Sequence, residues 1–252
     1  MRIPYVIDNQ TTQLATILNY LLQDTGVQAM DIATAYFSVR GYQQVAQGLD
    51  KVSSFRLLLG AEPETGDEVG MRPADTRIKG LIQRDLNLEA FSENTLKLVE
   101  DLIAFLQRDD VEVKLYHGEG QRRRFLHAKC YLMYGGRKGQ MAIDPRFNPL
   151  VGIVGSSNFT GPGLTTNQEL NTVHKTLLEL DEVDDEEARA EVVYQADVRG
   201  NNSISLDNRR LIKSEAGARA IMDLRAWYDV QWQQSDDFKE SLIDLLWESK
   251  FG

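Results

Sequence analysis

The sequence predicts an α/β fold, a β-sheet flanked by helices with a helical C-terminal segment. Helix-like and strand-like runs alternate over the first 60 residues, three strand-like runs cluster between residues 111 and 154, and two amphipathic stretches close the chain. A length of 252 residues is enough to bury a full core unaided. With 42% hydrophobic and 26% charged residues the composition is that of a globular protein, not of a disordered or fibrous one.

The elements follow in order. Leu14, Ile17, Leu18, Leu21 and Leu22 recur at helical spacing and predict a helix over Asn9 to Gln23. Asp31 to Phe37 and Phe55 to Leu59 are short apolar strands, separated by a segment of helical length around Gly41 to Gly48. Ala61 to Asp75, broken by Gly and Pro and rich in acids, reads as an exposed loop. Leu96, Leu98, Val99, Leu102, Ile103 and Leu106 form the stripe of a helix over Asn94 to Gln107. Val111 to Tyr116, Phe125 to Tyr134 and Leu150 to Val154 read as strands, and the last, wholly apolar, is expected at the middle of the sheet. Gly135 to Pro149 has no period and reads as a surface loop or hairpin, and Glu169 to Thr176 as a further strand. Ser214 to Gln233 carries Ile221, Leu224, Tyr228 and Trp232 on one side of a helix. Asp236 to Trp247, with an Asp-rich start, predicts the last one.

Several chemistries are excluded early. One cysteine, Cys130, permits no internal disulfide and no Cys-based zinc site, and three scattered histidines form no metal cluster. No metal or cofactor is expected. No stretch approaches the ~18 apolar residues of a membrane span, and no signal peptide is apparent, so a cytoplasmic protein without a membrane partner is expected. Eight acids against one arginine in Glu179 to Glu191 lack the Asp-x-Asp-x-Asp-Gly spacing of a calcium loop and read as a solvated acidic insertion.

The chemistry lies in three short pieces. In Phe125 to Leu132, strand parity puts His127 and Lys129 side by side on one face and Leu126, Ala128, Cys130 and Leu132 in the core. A neutral imidazole is a nucleophile for phosphorus, and an ammonium beside it neutralises phosphate oxygens. Gly155-Ser156-Ser157-Asn158 then offers a close backbone approach and neutral donors, followed by a Thr-Gly-Pro-Gly turn able to start a short helix. Glu169 stands where a carboxylate would fix an imidazole tautomer. Arg122, Arg123 and Arg124 precede the first piece, where guiding phosphate and forming a solvated turn weigh evenly. Tyr36, Phe37 and Tyr42 sit among Ala33, Ala35 and Val39 and read as core packing in preference to a base-stacking platform.

His127-x-Lys129, Gly155-Ser156-Ser157-Asn158 and Glu169, in that order, resemble the signature of the phospholipase D superfamily. The resemblance implies a single repeat of that family's mixed sheet. It also implies a metal-independent mechanism in which one histidine attacks phosphorus, giving a phosphohistidine, and a second protonates the leaving oxygen. It assigns His127, Lys129, Asn158 and Glu169 to catalysis; Ser156 and Ser157, with Arg122 to Arg124 on the phosphate-guiding reading of their position, are the candidate phosphate-binding residues. The family pattern carries an aspartate five residues after the lysine, where this chain has Tyr134, a position that parity turns away from His127. Only His127 lies in a His-x-Lys pair: His117 has no lysine two residues on, and His174 is followed directly by Lys175. A homodimer joining two His127 residues across a two-fold axis is therefore the expectation.

Residues 1–234 read as the phospholipase D-like domain, and 235–252 as a C-terminal helix resembling the stretch that joins such domains to SNF2-type helicases in bacterial proteins. The absence of an apolar interfacial surface or a basic amphipathic helix favours nucleic acid, DNA above all, over lipid. The expected function is a DNA phosphodiesterase, the alternative a catalytically silent nucleic-acid-binding module of a helicase-type protein. The net charge of −10 does not oppose this, because the acidic insertion supplies −7 while Gln121 to Arg146 holds seven bases and one acid. A localised basic face around His127 is expected.

Overall fold

The computed structural model describes residues 1–60, 74–116, 126–135, 144–179, 204–206 and 209–252. Its elements are β1 (Val6–Ile7), α1 (Leu14–Asp24), β2 (Val27–Thr34), α2 (Val39–Leu49), β3 (Ser54–Leu59), α3 (Ala74–Leu88), α4 (Glu93–Leu106), β4 (Val111–Tyr116), β5 (Cys130–Gly135), β6 (Pro149–Gly155), α5 (Gly161–Thr165) and β7 (Asn171–Lys175). After these come β8 (Leu177–Glu179), β9 (Ile204–Leu206), β10 (Arg209–Lys213), α6 (Glu215–Gln233), β11 (Ser235–Asp237) and α7 (Lys239–Trp247). Eight strands form one sheet in the order β1-β7-β6-β5-β2-β3-β4-β11, and β8, β10 and β9 form a small second sheet. The large sheet is mixed: β2, β3 and β4 run parallel, as crossover helices require, while β5, β6, β7, β1 and β11 join antiparallel.

Both faces are covered. On one, α1, α2, α4 and α7 bury the larger core, with Met30, Ile32, Tyr131 and Met133 contributed by the sheet. On the other, α6 lays Ile221, Tyr228 and Trp232 over Ala33, Leu58, Cys130, Leu132 and Tyr134. Period-2 alternation along β2 and β5 decides which side chain enters which core. The helices α2, α4 and α6 start on a serine cap: Ser38 Oγ accepts from Gly41 N, Ser92 Oγ from Thr95 N, and Ser214 Oγ from Gly217 N.

Several elements differ from the sequence expectation. α1 begins at Leu14, not Asn9, because Asp8 caps Gln10 N and Thr11 N while Asn9 takes φ 60°. Asn9 instead joins the chain start to α5, receiving Leu14 N on Oδ1 and donating from Nδ2 to Gly163 O and Asn167 O. The helix α3 was not expected; its stripe of Ile78, Ile82 and Leu86 is thin but wholly buried. β6 is interior but third from an edge, and β5 and β2 hold the middle. Ser235 to Asp237 pair with β4 as an edge strand, so the last helix starts at Lys239, and its Leu242 and Leu246 enter the larger core with Phe251. Most of the expected Ala61–Asp75 loop and of the acidic insertion lies outside the described residues.

Candidate active site

Four chain segments meet at one end of the sheet: the C-terminal end of β2, the residues entering β5, the C-terminal end of β6 and the approach to β7. His127 and Lys129 lie just before β5, which begins at Cys130, so they are extended chain rather than strand as expected. The alternation still holds through them: Leu126 and Cys130 enter the α6-side core, and the Lys129 Nζ to His127 Nε2 distance is 3.0 Å. An ammonium has donors only, so charged Lys129 makes Nε2 the acceptor and puts the imidazole proton on Nδ1. His127 is exposed while Lys129 is buried. Gly60 at the end of β3 makes this placement possible, since a Cβ there would lie 2.2 Å from the Leu126 carbonyl oxygen.

Asn158 is held by the end of β2. Its Oδ1 accepts from Tyr36 N at 3.1 Å and lies 3.2 Å from Thr34 Oγ1. Thr34 is fully buried, accepts from Phe159 N at 3.0 Å and donates to Tyr36 O at 2.7 Å. With Oδ1 taken by the Tyr36 amide the side-chain amide has one orientation, with Nδ2 presented as the donor. Sequence reasoning missed Thr34 and read Tyr36 as core packing, whereas Tyr36 is half-buried at the site. Their signal was the polar end of an otherwise apolar strand, and only the fold shows that Asn158, 124 residues from Thr34, meets it.

The remaining candidates separate. Ser156 is exposed, and its hydroxyl binds the Glu169 carboxylate and accepts from Leu170 N at 3.0 Å. Glu169 is half-buried and accepts also from Asn167 Nδ2 at 3.4 Å, so it braces the rim of the site through Ser156. Ser157 departs from the phosphate-binding expectation: it is 0% exposed, and its hydroxyl accepts from Asn171 Nδ2 at 2.9 Å inside the core. Tyr131 donates to the Ser157 carbonyl at 2.9 Å, and burial pushes its phenol far above the usual range. Gly155 serves packing, since a Cβ there would lie 2.2 Å from Leu170 O and 2.4 Å from Asn171 Oδ1. Arg122, Arg123, Arg124 and His117 lie outside the described residues.

The expected basic face loses one member. Arg146 is drawn under α6, where Nη2 binds the fully buried Asp31 at 2.7 Å. His174 lies on β7 opposite Gly152, and its neighbour Lys175 is committed to Ile3 O at 2.8 Å and the Tyr5 ring at 4.2 Å. Tyr134 lies on the α6 face, turned from Lys129 as parity required, with its phenol raised by burial and then by the Asp31 charge.

Residues 21–188, which contain all four proposed catalytic residues, match the family described as cardiolipin synthase, PLD-like domain. Among solved structures the chain is similar to NucT from Helicobacter pylori, at 11% identity over 83% of this chain and 97% of that one, with a TM-score of 0.37. It is similar also to Nuc from Salmonella typhimurium, a phospholipase D family member, at 10% identity over 83% and 97%, with a TM-score of 0.36. For phosphatidylserine synthase from Haemophilus influenzae Rd KW20 the values are 11%, 92% and 48%, with a TM-score of 0.38. No curated protein matches.

Proposed function

Because the chain belongs to the phospholipase D superfamily, through a PLD-like domain over residues 21–188, we propose that it is a phosphodiesterase that cleaves DNA through a phosphohistidine without a metal ion. The observation that carries this is the His127–Lys129 pair, with Nζ 3.0 Å from Nε2. As the phosphodiester arrives, the ammonium transfers from the imidazole to a non-bridging oxygen, which frees the Nε2 lone pair. Nε2 attacks phosphorus, an N–P bond forms and the P–O bond to the leaving group breaks, while the oxygen takes a proton from a second imidazole. That imidazole is His127 of the partner subunit in a two-fold homodimer. It then removes a proton from water, whose oxygen displaces His127 from phosphorus and yields a phosphomonoester. Asn158 Nδ2 donates to the phosphate.

A catalytically silent nucleic-acid-binding module beside a helicase-type motor is the second reading, favoured by Tyr134 in place of the family aspartate. One experiment separates the two. Wild type and His127→Ala are incubated with labelled single- and double-stranded DNA in excess EDTA. Cleavage by wild type alone supports the phosphodiesterase. Binding by both proteins with cleavage by neither supports the silent module, and cleavage retained by His127→Ala overturns the site.

A further inference from the structure

We propose that Tyr36 and Arg84 form a subsite for a nucleobase adjoining the phosphate held at His127, Lys129 and Asn158. The inference rests on reading those three residues as a phosphodiester site. It begins with a division among three aromatics that look alike in sequence. Phe37 and Tyr42 are 2% and 3% exposed and pack on Phe159 and Phe105, with ring centroids 5.6 and 5.4 Å apart. Tyr36 is only half-buried at the end of β2. A tyrosine needed for packing alone would join the other two.

Tyr36 is also fixed at both ends. Its amide donates to Asn158 Oδ1 at 3.1 Å and its carbonyl accepts from Thr34 Oγ1 at 2.7 Å, which ties its backbone to the phosphate-binding asparagine. Its phenol oxygen accepts from Arg84 Nη2 at 3.0 Å. Arg84 is exposed on α3, whose Ile78, Ile82 and Leu86 belong to the larger core. The ring therefore leans toward the face on which Met30, Ile32, Tyr131 and Met133 lie, the face that the alternation of β5 assigns to Lys129 and His127.

A ring fixed beside a phosphate site loses little freedom when a base stacks on it, and every base has a π-face to offer. The phenol end of the side chain meets a guanidinium and its backbone is tied to an amide and a hydroxyl, a polar setting that suits a flat polar heterocycle better than an acyl chain.

The test is binding of the full chain to fluorescent oligothymidylate and to an abasic strand of equal length, by anisotropy in EDTA. Tyr36→Ala should weaken oligothymidylate binding roughly 5- to 150-fold, the span of one base–aromatic stack, and leave abasic binding within about twofold. Tyr36→Phe, which keeps the ring but gives up the Arg84 hydrogen bond, should lose clearly less oligothymidylate binding than Tyr36→Ala and controls for folding. Equal losses on both strands, or no loss on either, overturn the subsite while leaving the phosphodiester site standing. A wild type that binds neither strand overturns the nucleic-acid reading and the subsite with it. Loss of binding to phosphatidylglycerol vesicles in Tyr36→Ala with oligothymidylate binding intact also overturns the subsite and assigns the ring to lipid.

Discussion

Thr34 has no chemistry to offer a phosphodiester, yet its hydroxyl is where Phe159 N, Tyr36 O and Asn158 Oδ1 converge. Thr34→Val keeps the shape and leaves the buried Phe159 amide without an acceptor, a loss of about 1–3 kcal/mol. The expected result is a lower urea midpoint together with a raised KM, both restored by Thr34→Ser. Cys130 gives a residue-scale test of burial. Burial, and after it the Asp31 charge, pushes its thiol from an ordinary 9.0 up to about 12. Below pH 9 both folded and unfolded chains keep the proton. Between about 9 and 12 only the unfolded chain loses it, so this contribution to stability falls as pH rises through that window. Urea midpoints of wild type and Cys130→Ala should therefore draw apart between pH 8 and pH 11, with wild type losing more. The side-by-side placement of His127 and Lys129 was legible because alternation of an extended chain is local. The partners of Thr34 were not, because no local pattern encodes a contact across more than a hundred residues.

At the scale of elements, α6 is fastened to the sheet by charge as well as by its apolar stripe. Asp31, 0% exposed on β2, receives Arg56 Nη2 at 2.6 Å and Arg146 Nη2 at 2.7 Å. Arg56 also reaches Asp229 on α6 at 2.9 Å and lies over the Tyr228 and Trp232 rings at 4.9 and 5.3 Å. Arg225 of the same helix donates to the Arg146 carbonyl at 2.6 Å. In this layer the family pattern would put its aspartate at position 134 of β5. Here the buried carboxylate comes from the adjacent strand, where Asp31 pairs with Leu132 and Ala29 with Tyr134. Asp31→Asn leaves two guanidiniums short of charge and should cost about 3–5 kcal/mol. Hydrogen exchange should show amides of α6 losing protection before those of α1 or α2. An aspartate inside an apolar strand was visible in sequence. Its cations, Arg56 and Arg146 at 25 and 115 positions away, had no local signature.

At the scale of the whole molecule, the proposed two-histidine site makes activity a property of the dimer. When wild type and His127→Ala are mixed equally and allowed to exchange subunits, only dimers with two wild-type chains carry both histidines. Activity should fall to about a quarter of the all-wild-type value, whereas independent subunits would retain about half. Gel filtration with light scattering should give a particle of two chains at the same concentration. The alternation of helix and strand, the two covered faces of the sheet and the order of the site motifs were determined by the sequence alone, because periods of 2 and 3.6 and short-range parity are properties of neighbouring residues. Tertiary structure alone decided that Ser157 is core, that Tyr36 is rim, that Arg146 neutralises Asp31 and that Asn158 is oriented by the end of β2. Each of those depends on which distant backbone segments the sheet order brings together, and the free energy of burying a polar group turns on the partner found there.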